Sequence, residues 1–308
     1  MKRFACACAF AAIGLFAQVE PKQLLSSGAG EGPAWKPGEG LFFSGGGKIT
    51  RYGMDGQVTV FREASGGSNG LLWDPAGRLI VCEAGNRRVT RTELDGRITV
   101  LADNFEGKKF NSPNDLTLDS KGRIYFSDPR YGKRDTMELK EAVYRIDAPG
   151  KVTRVLAEEV DRPNGIFVSP GDRYLYVADN NNNNAGGTRK LWRFELKDGS
   201  VVAGSRKLLF DWEGSRGPDG VKMDDRGRLF VAGGVNKANQ FETDKFKGGI
   251  YVLSAEGKLL RFIPIPVDEV TNCAFGGADW KTLFVTAGGT LWSVPMDSPG
   301  RVPLRGLK

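Results

Sequence analysis

The chain has 308 residues, 44 Lys and Arg against 37 Asp and Glu, and no histidine. The lack of histidine excludes Ser-His-Asp and Cys-His triads, histidine-ligated zinc and a histidine general base. The formal charge of +7 comes from basic residues scattered along the chain without a basic block, a solvated surface with no nucleic-acid groove expected.

Residues 1–17 read as a signal peptide. Lys2 and Arg3 give a basic start, Phe4 to Phe16 carry no charge, and Ala17 offers a small residue at the cleavage point. The run is too short for a comfortable bilayer span, so removal is expected, with a retained N-terminal anchor as the alternative. Loss of Lys2 and Arg3 takes the formal charge from +7 to +5. Residues 18–308 are then expected to be one periplasmic or secreted domain, a monomer with no stable membrane insertion. Cys82 and Cys273 remain, in different repeats, and are expected as two buried small side chains without a bridge.

Along the mature chain helical periodicity is nearly absent. Short apolar strands recur, such as Arg78 to Cys82, Arg123 to Ser127, Tyr174 to Ala178 and Arg228 to Ala232. Each follows a Gly-containing turn, and second turns such as Asp55-Gly56, Asp95-Gly96 and Asp198-Gly199 suit hairpins that need positive φ. The segments before these strands align. They begin at Glu31, Asn69, Asn114, Asn164, Asp219 and Asn272, separated by 38, 45, 50, 55 and 53 positions. Six copies of a four-strand unit with this period predict an all-β, six-bladed β-propeller around a central channel. The last copy is one strand short, and Pro21 to Ser26 is expected to supply it and close the ring. Asn180 to Asn184 reads as a surface loop.

The innermost strand of each blade runs along the channel, so the six aligned residues point at one small volume. All six bear a side-chain oxygen, and none is Lys or Arg. Two carboxylates, Glu31 and Asp219, neutralise a divalent ion, and asparagines add neutral carbonyl oxygens. This is a hard-cation ligand set for one divalent cation, with Ca²⁺ favoured and Mg²⁺, Mn²⁺ or Zn²⁺ as alternatives. The competing reading takes Asn-Gly and Asp-Gly as ordinary turn formers, which would not require an oxygen in every copy.

The motifs Glu31-Gly32-Pro33-Ala34-Trp35, Asn111-Ser112-Pro113-Asn114-Asp115, Ser127-Asp128-Pro129-Arg130-Tyr131-Gly132, Arg162-Pro163-Asn164-Gly165 and Gly217-Pro218-Asp219-Gly220 resemble the senescence-marker-protein/gluconolactonase (regucalcin-like) family, and its microbial gluconolactonase branch most. The resemblance spans about residues 20 to 295. It implies that Glu31, Asn164 and Asp219 hold the metal, and that Asn114 holds metal or substrate. Asp219 matches the family's proposed general base. The animal branch places a substrate-contacting arginine near Asn114. Asn111 stands in that neighbourhood here, a departure that makes it the candidate substrate contact. Arg130 and Tyr131 fall in a loop at the channel mouth and are further candidates, with plain solvated-loop residues as the alternative.

The implied activity is hydrolysis of a small lactone. A bound cation polarises the ring carbonyl, and Asp219 takes the proton of the attacking water. Two alternatives remain at this point. One is another Ca²⁺-dependent propeller hydrolase acting on phosphotriesters, and the other is a non-catalytic binding propeller. Asn69 and Asn272 share the repeat position without a family role and are expected to line the channel without touching the metal.

Overall fold

The structure is a computed structural model that describes residues 20–131 and 137–303. The segment read as a signal peptide lies outside the described residues. Six antiparallel sheets follow one another along the chain, each running from an inner to an outer strand. The inner strands are Glu31–Lys36, Ser68–Trp73, Leu116–Leu118, Pro163–Val168, Val221–Met223 and Val270–Gly276. Each packs against the next, and the sixth packs back on the first, which closes a six-bladed propeller. Lys22–Leu25 pairs antiparallel with Thr290–Pro295, so the first strand supplies the outer strand of the last blade, as the short final repeat requires.

The core is divided among the blade interfaces. Six apolar clusters occur among the described residues, each joining two neighbouring blades. The strand Leu79–Glu83 shows why the second strands read as unbroken apolar runs. Leu79 and Val81 enter the cluster with the first blade, whereas Ile80 and Cys82 enter the cluster with the third. Side chains alternate with period two, and both faces of a blade are buried, so Leu79 to Cys82 are all apolar. Cys82 and Cys273 are buried and free, as their separation in sequence implies.

The Gly after the aligned residue has its own cause. A Cβ on Gly70 would lie 2.5 Å from the Asn114 carbonyl oxygen, and one on Gly165 would lie 2.0 Å from that of Asp219. One on Gly220 would lie 2.0 Å from Asn272 Oδ1. Only Gly32 of this set has a positive φ, at 56°. These Asn-Gly and Asp-Gly pairs are therefore not turns. The glycine lets the backbone of one blade lie against the aligned residue of the next, a close approach no larger residue permits. In the strands carrying Glu31, Asn69 and Asn164 a bulge falls between the first and the fourth residue. Strict alternation would turn residues three apart to opposite faces. The bulge breaks that parity and allows an aligned residue and the one three positions on to face the same channel.

One sequence reading needs correction. The Asn180 to Asn184 tract is not wholly a surface loop. Asn180 closes the strand Tyr174–Asn180 and Asn181 follows it, both buried, and exposure begins beyond Asn182.

Candidate active site

The six aligned residues come together at one end of the channel. Asn272 Nδ2 donates to Glu31 Oε2 at 3.0 Å, across the junction of the last and first blades. Gly32 N donates to the same oxygen at 2.9 Å. Asn164 Nδ2 donates to the Tyr131 hydroxyl at 2.9 Å, and that hydroxyl donates on to the Asn180 carbonyl at 3.3 Å. Asp219 Oδ2 faces Arg216 Nη2 at 3.8 Å. In each of Glu31, Asn164 and Asp219, a neighbour engages one head atom and the described bonds leave the other oxygen free. Asn114 is buried and held by its backbone, accepting from Gly70 N at 2.7 Å and donating to the Ser127 carbonyl at 2.9 Å.

The electrostatics set two acidic groups against each other in a desolvated space. Burial pushes the Glu31 carboxyl up to about 7. Burial, and then the Glu31 charge, pushes Asp219 well above the usual carboxylate range. The buried oxygens Asn164 Oδ1 and Asp219 Oδ1 have no hydrogen-bond donor. Buried acceptors without partners are costly and uncommon, and a hard cation satisfies such oxygens while it neutralises the two carboxylates. The residues present fit a divalent cation on that ground. No cluster of three His, Cys, Asp or Glu side chains with metal-holding geometry occurs among the described residues, because the set is two carboxylates and several amides.

The other predicted contacts divide. Tyr131 sits against Asn164 and is half-buried, with the Arg162 guanidinium 5.6 Å from its ring centre. It therefore orients a ring residue. Arg130 is exposed, and its described bond is from its backbone N to Glu141 Oε2 at 2.8 Å. Asn111 is fully buried and donates its amide to the Asp128 and Lys140 carbonyls, both at 3.3 Å. Its described bonds hold the loop that leads into Asn114.

Three groups escaped the sequence reading. Asp115 stands where four of the repeats have the packing glycine, and its Oδ2 lies 3.5 Å from Lys222 Nζ. Lys222 also lies 3.4 Å from Asn272 Oδ1. Its signal was a lone basic residue three positions after Asp219. Arg216, three before Asp219, is buried beside it. Asp128 and Asp179 form a repeated staple. Asp128 accepts the backbone N–H of Asn111 and Ser112 at 2.7 and 2.8 Å, and Asp179 accepts those of Asp161 and Arg162. Each staple fixes the loop that enters a ring strand.

The opposite end of the channel is different. A cavity of about 390 Å³ opens there, lined in part by the residues three positions after each ring residue: Ala34, Leu72, Thr117, Phe167, Lys222 and Phe275. The C-terminal Arg301 to Pro303 forms one wall. Apart from Lys222 this ring has no charge, so the candidate chemistry belongs to the polar end.

A six-bladed propeller with an axial ring of two carboxylates and four amides is thus the class defined by fold and site. The chain belongs to the SMP-30/Gluconolactonase/LRE-like family, whose model matches residues 29–289. It is 32% identical to a gluconolactonase of Zymomonas mobilis over 289 residues, which covers 83% of this chain and 75% of that one. A gluconolactonase of Xanthomonas campestris has a similar solved structure, with a TM-score of 0.75 at 31% identity, covering 90% of this chain and 89% of that one. A calcium-binding regucalcin of Agrobacterium tumefaciens shares the fold, with a TM-score of 0.72 at 20% identity, covering 92% and 96%.

Proposed function

We propose that the chain is a divalent-cation-dependent lactonase that opens a sugar-type lactone at the polar end of its channel. The observation that carries this reading is the pair of carboxylates, part-buried Glu31 and buried Asp219, beside the unpartnered Oδ1 atoms of Asp219 and Asn164. Kinship with gluconolactonases supports the substrate class. Glu31, Asn164 and Asp219 hold one cation, and Asn114 joins it or the substrate. Ca²⁺ is the cation favoured, because every donor is oxygen and the cage is protein-built. When bound, the ion supplies Lewis-acid polarisation of the lactone carbonyl.

The protein's own groups do the rest. Asp219 takes a proton from the attacking water and returns it to the departing ring oxygen. Asn272 and Gly32 fix Glu31, and Tyr131 fixes Asn164, so the ring is preorganised before substrate arrives. Glutamate and aspartate serve because no histidine exists in the chain. The basic and apolar start of residues 2–16 supports export, with the mature protein acting as a monomer in the periplasm or outside the cell. The test is hydrolysis of glucono-δ-lactone, an aromatic lactone and a phosphotriester. Each is measured after chelation and again after return of Ca²⁺, Mg²⁺, Mn²⁺ or Zn²⁺. Lactone turnover lost on chelation and regained with a cation is expected; turnover indifferent to chelation overturns the cation's role.

A further inference from the structure

Arg216 is the most heavily contested side chain near the site. Its Nη2 lies 3.0 Å from Glu269 Oε2 and 3.8 Å from Asp219 Oδ2, and its Nη1 lies 3.5 Å from Glu242 Oε1. The guanidinium is 12% exposed, whereas Glu269 is 58% exposed on the rim. Arg216 Nε and Glu242 Oε1 are buried without hydrogen-bond partners. So the fork is surrounded by three carboxylates, yet only Glu269 reaches hydrogen-bond distance. That oxygen sits on the very nitrogen that faces Asp219.

The loop around Arg216 is well anchored. Its carbonyl accepts from Gly234 N at 3.0 Å, and the next residue, Gly217, donates its N–H to Asn182 Oδ1 at 3.0 Å. The guanidinium is therefore delivered by a fixed backbone, and the variable partner is the exposed Glu269. A planar fork matches two oxygens on one carbon better than any other side chain does.

We propose that Arg216 is a catalytic residue that binds the acyl oxygens of the lactone and of its ring-opened carboxylate, and that Glu269 holds their place in the free enzyme. The inference rests on the lactonase reading. In that reaction water's oxygen bonds to the acyl carbon, and the bond from that carbon to the ring oxygen breaks. One proton of the water ends on the ring oxygen, now a hydroxyl. The other leaves to solvent, and the acyl group becomes a carboxylate. Addition of water gives the acyl carbon a third oxygen, and the two that are not the ring oxygen remain on it as the product carboxylate. These are the oxygens that Arg216 receives as Glu269 swings off the rim.

Two measurements with opposite signs test it, using Ca²⁺ and D-gluconate as probes. Arg216→Met is expected to weaken gluconate binding by about ten- to a hundredfold, the value of a charge-assisted hydrogen bond converted to a ratio. It should also lower kcat/KM for glucono-δ-lactone. Ca²⁺ affinity should hold or rise, since a positive charge beside the ion has been removed. Arg216→Lys should recover little, because one ammonium cannot present paired N–H groups. Glu269→Ala, on the exposed rim, should tighten gluconate binding. The proposal is overturned if Arg216→Met keeps gluconate affinity, if Ca²⁺ affinity falls in step with activity, or if Glu269→Ala leaves gluconate binding unchanged or weaker. If Arg216→Met does not fold, Arg216→Gln and Glu269→Ala carry the same decision. Wild-type protein that turns over no lactone would instead sink the functional reading itself.

Discussion

The two ends of the channel are built from the same strands, three residues apart, and they obey different rules. At the polar end every blade contributes an oxygen: Glu31, Asn69, Asn114, Asn164, Asp219 and Asn272. At the other end the blades contribute Ala34, Leu72, Thr117, Phe167, Lys222 and Phe275, which share no property beyond filling space around a cavity. Packing tolerates exchange of size between neighbours as long as volume is kept. Ligation does not, because each position must present a particular atom. Uniform donor chemistry at one level and mixed side chains at the next separate chemistry from packing in a propeller.

The largest break in this contrast comes from Asp219→Asn. It keeps the size and one oxygen but removes the charge, so turnover should fall about 10²–10⁴-fold from loss of the base alone. Saturating Ca²⁺ should not restore it. If excess Ca²⁺ brings the rate near wild type, Asp219 is a ligand only. The matching change at the other end is Phe275→Ala. Phe275 is buried and meets Phe230 edge-on at 4.9 Å, so truncation should cost about 3–5 kcal/mol of stability. Turnover per folded molecule should stay within a few-fold, read by denaturant titration beside an active-site-normalised assay. A collapse in turnover at equal folded fraction would show that the apolar end also serves catalysis.

Gly165→Ala sharpens the boundary between the two rules. The new methyl would fall 2.0 Å from the Asp219 carbonyl oxygen, so blade four must move relative to blade five. Overpacking of this kind costs about 1–3 kcal/mol, and here the displaced backbone carries Asp219. Stability and Ca²⁺ affinity should therefore fall together. The control is Gly77→Ala, at a turn where a methyl meets nothing within 4 Å but φ is 78°. It should lose stability through backbone strain and leave Ca²⁺ affinity alone.

How much of this was legible follows from the kind of signal each residue leaves. The ring was readable because an oxygen-bearing side chain recurs at one place in six repeats, and the fold was readable from the same spacing. The reason for the glycines was not. Asn-Gly reads as a turn until the next blade is seen pressing on it. Arg216 and Glu269 were invisible because they meet across 53 positions of chain through two loops, outside any repeat. Tyr131 was named as a candidate substrate contact, and its link to the ring was not foreseen. Sequence placed it over the channel mouth, and only the fold brings its hydroxyl to Asn164 Nδ2. Asn111 lay near the expected arginine position in sequence, yet its amide serves two backbone carbonyls.

Within the polar ring, Asn69 and Asn272 were expected to behave alike, and the geometry separates them. Asn272 donates to Glu31 Oε2 and accepts from Cys273 N at 2.9 Å, so both ends of its amide are engaged. Asn69 Oδ1 has no donor. Asn272→Ala should weaken Ca²⁺ binding by about tenfold or more, the usual loss when a ligand's support is removed. Asn69→Ala should change it only a few-fold. Calorimetric titration decides between them, and equal losses would put Asn69 in contact with the ion.

The smallest effect concerns the staples that bring chain to the polar end. Asp128 is fully buried and accepts two backbone N–H groups from the loop before Asn114. Burial pushes its carboxyl from the ordinary 3.8 up to about 7, against the pull of those two donors. An acid with a raised folded pKa binds its proton more tightly in the native state than in the unfolded chain. Its contribution to stability is therefore present at low pH and is lost as pH rises from about 4 through about 7. Asp128→Asn has no proton to lose there. It should be less stable than wild type at about pH 3, where the acid is mostly protonated in both states. The gap in melting temperature should narrow as pH climbs to 7, then stay constant. A gap that widens over that window would mean the two backbone donors outweigh burial and that Asp128 folds as a carboxylate.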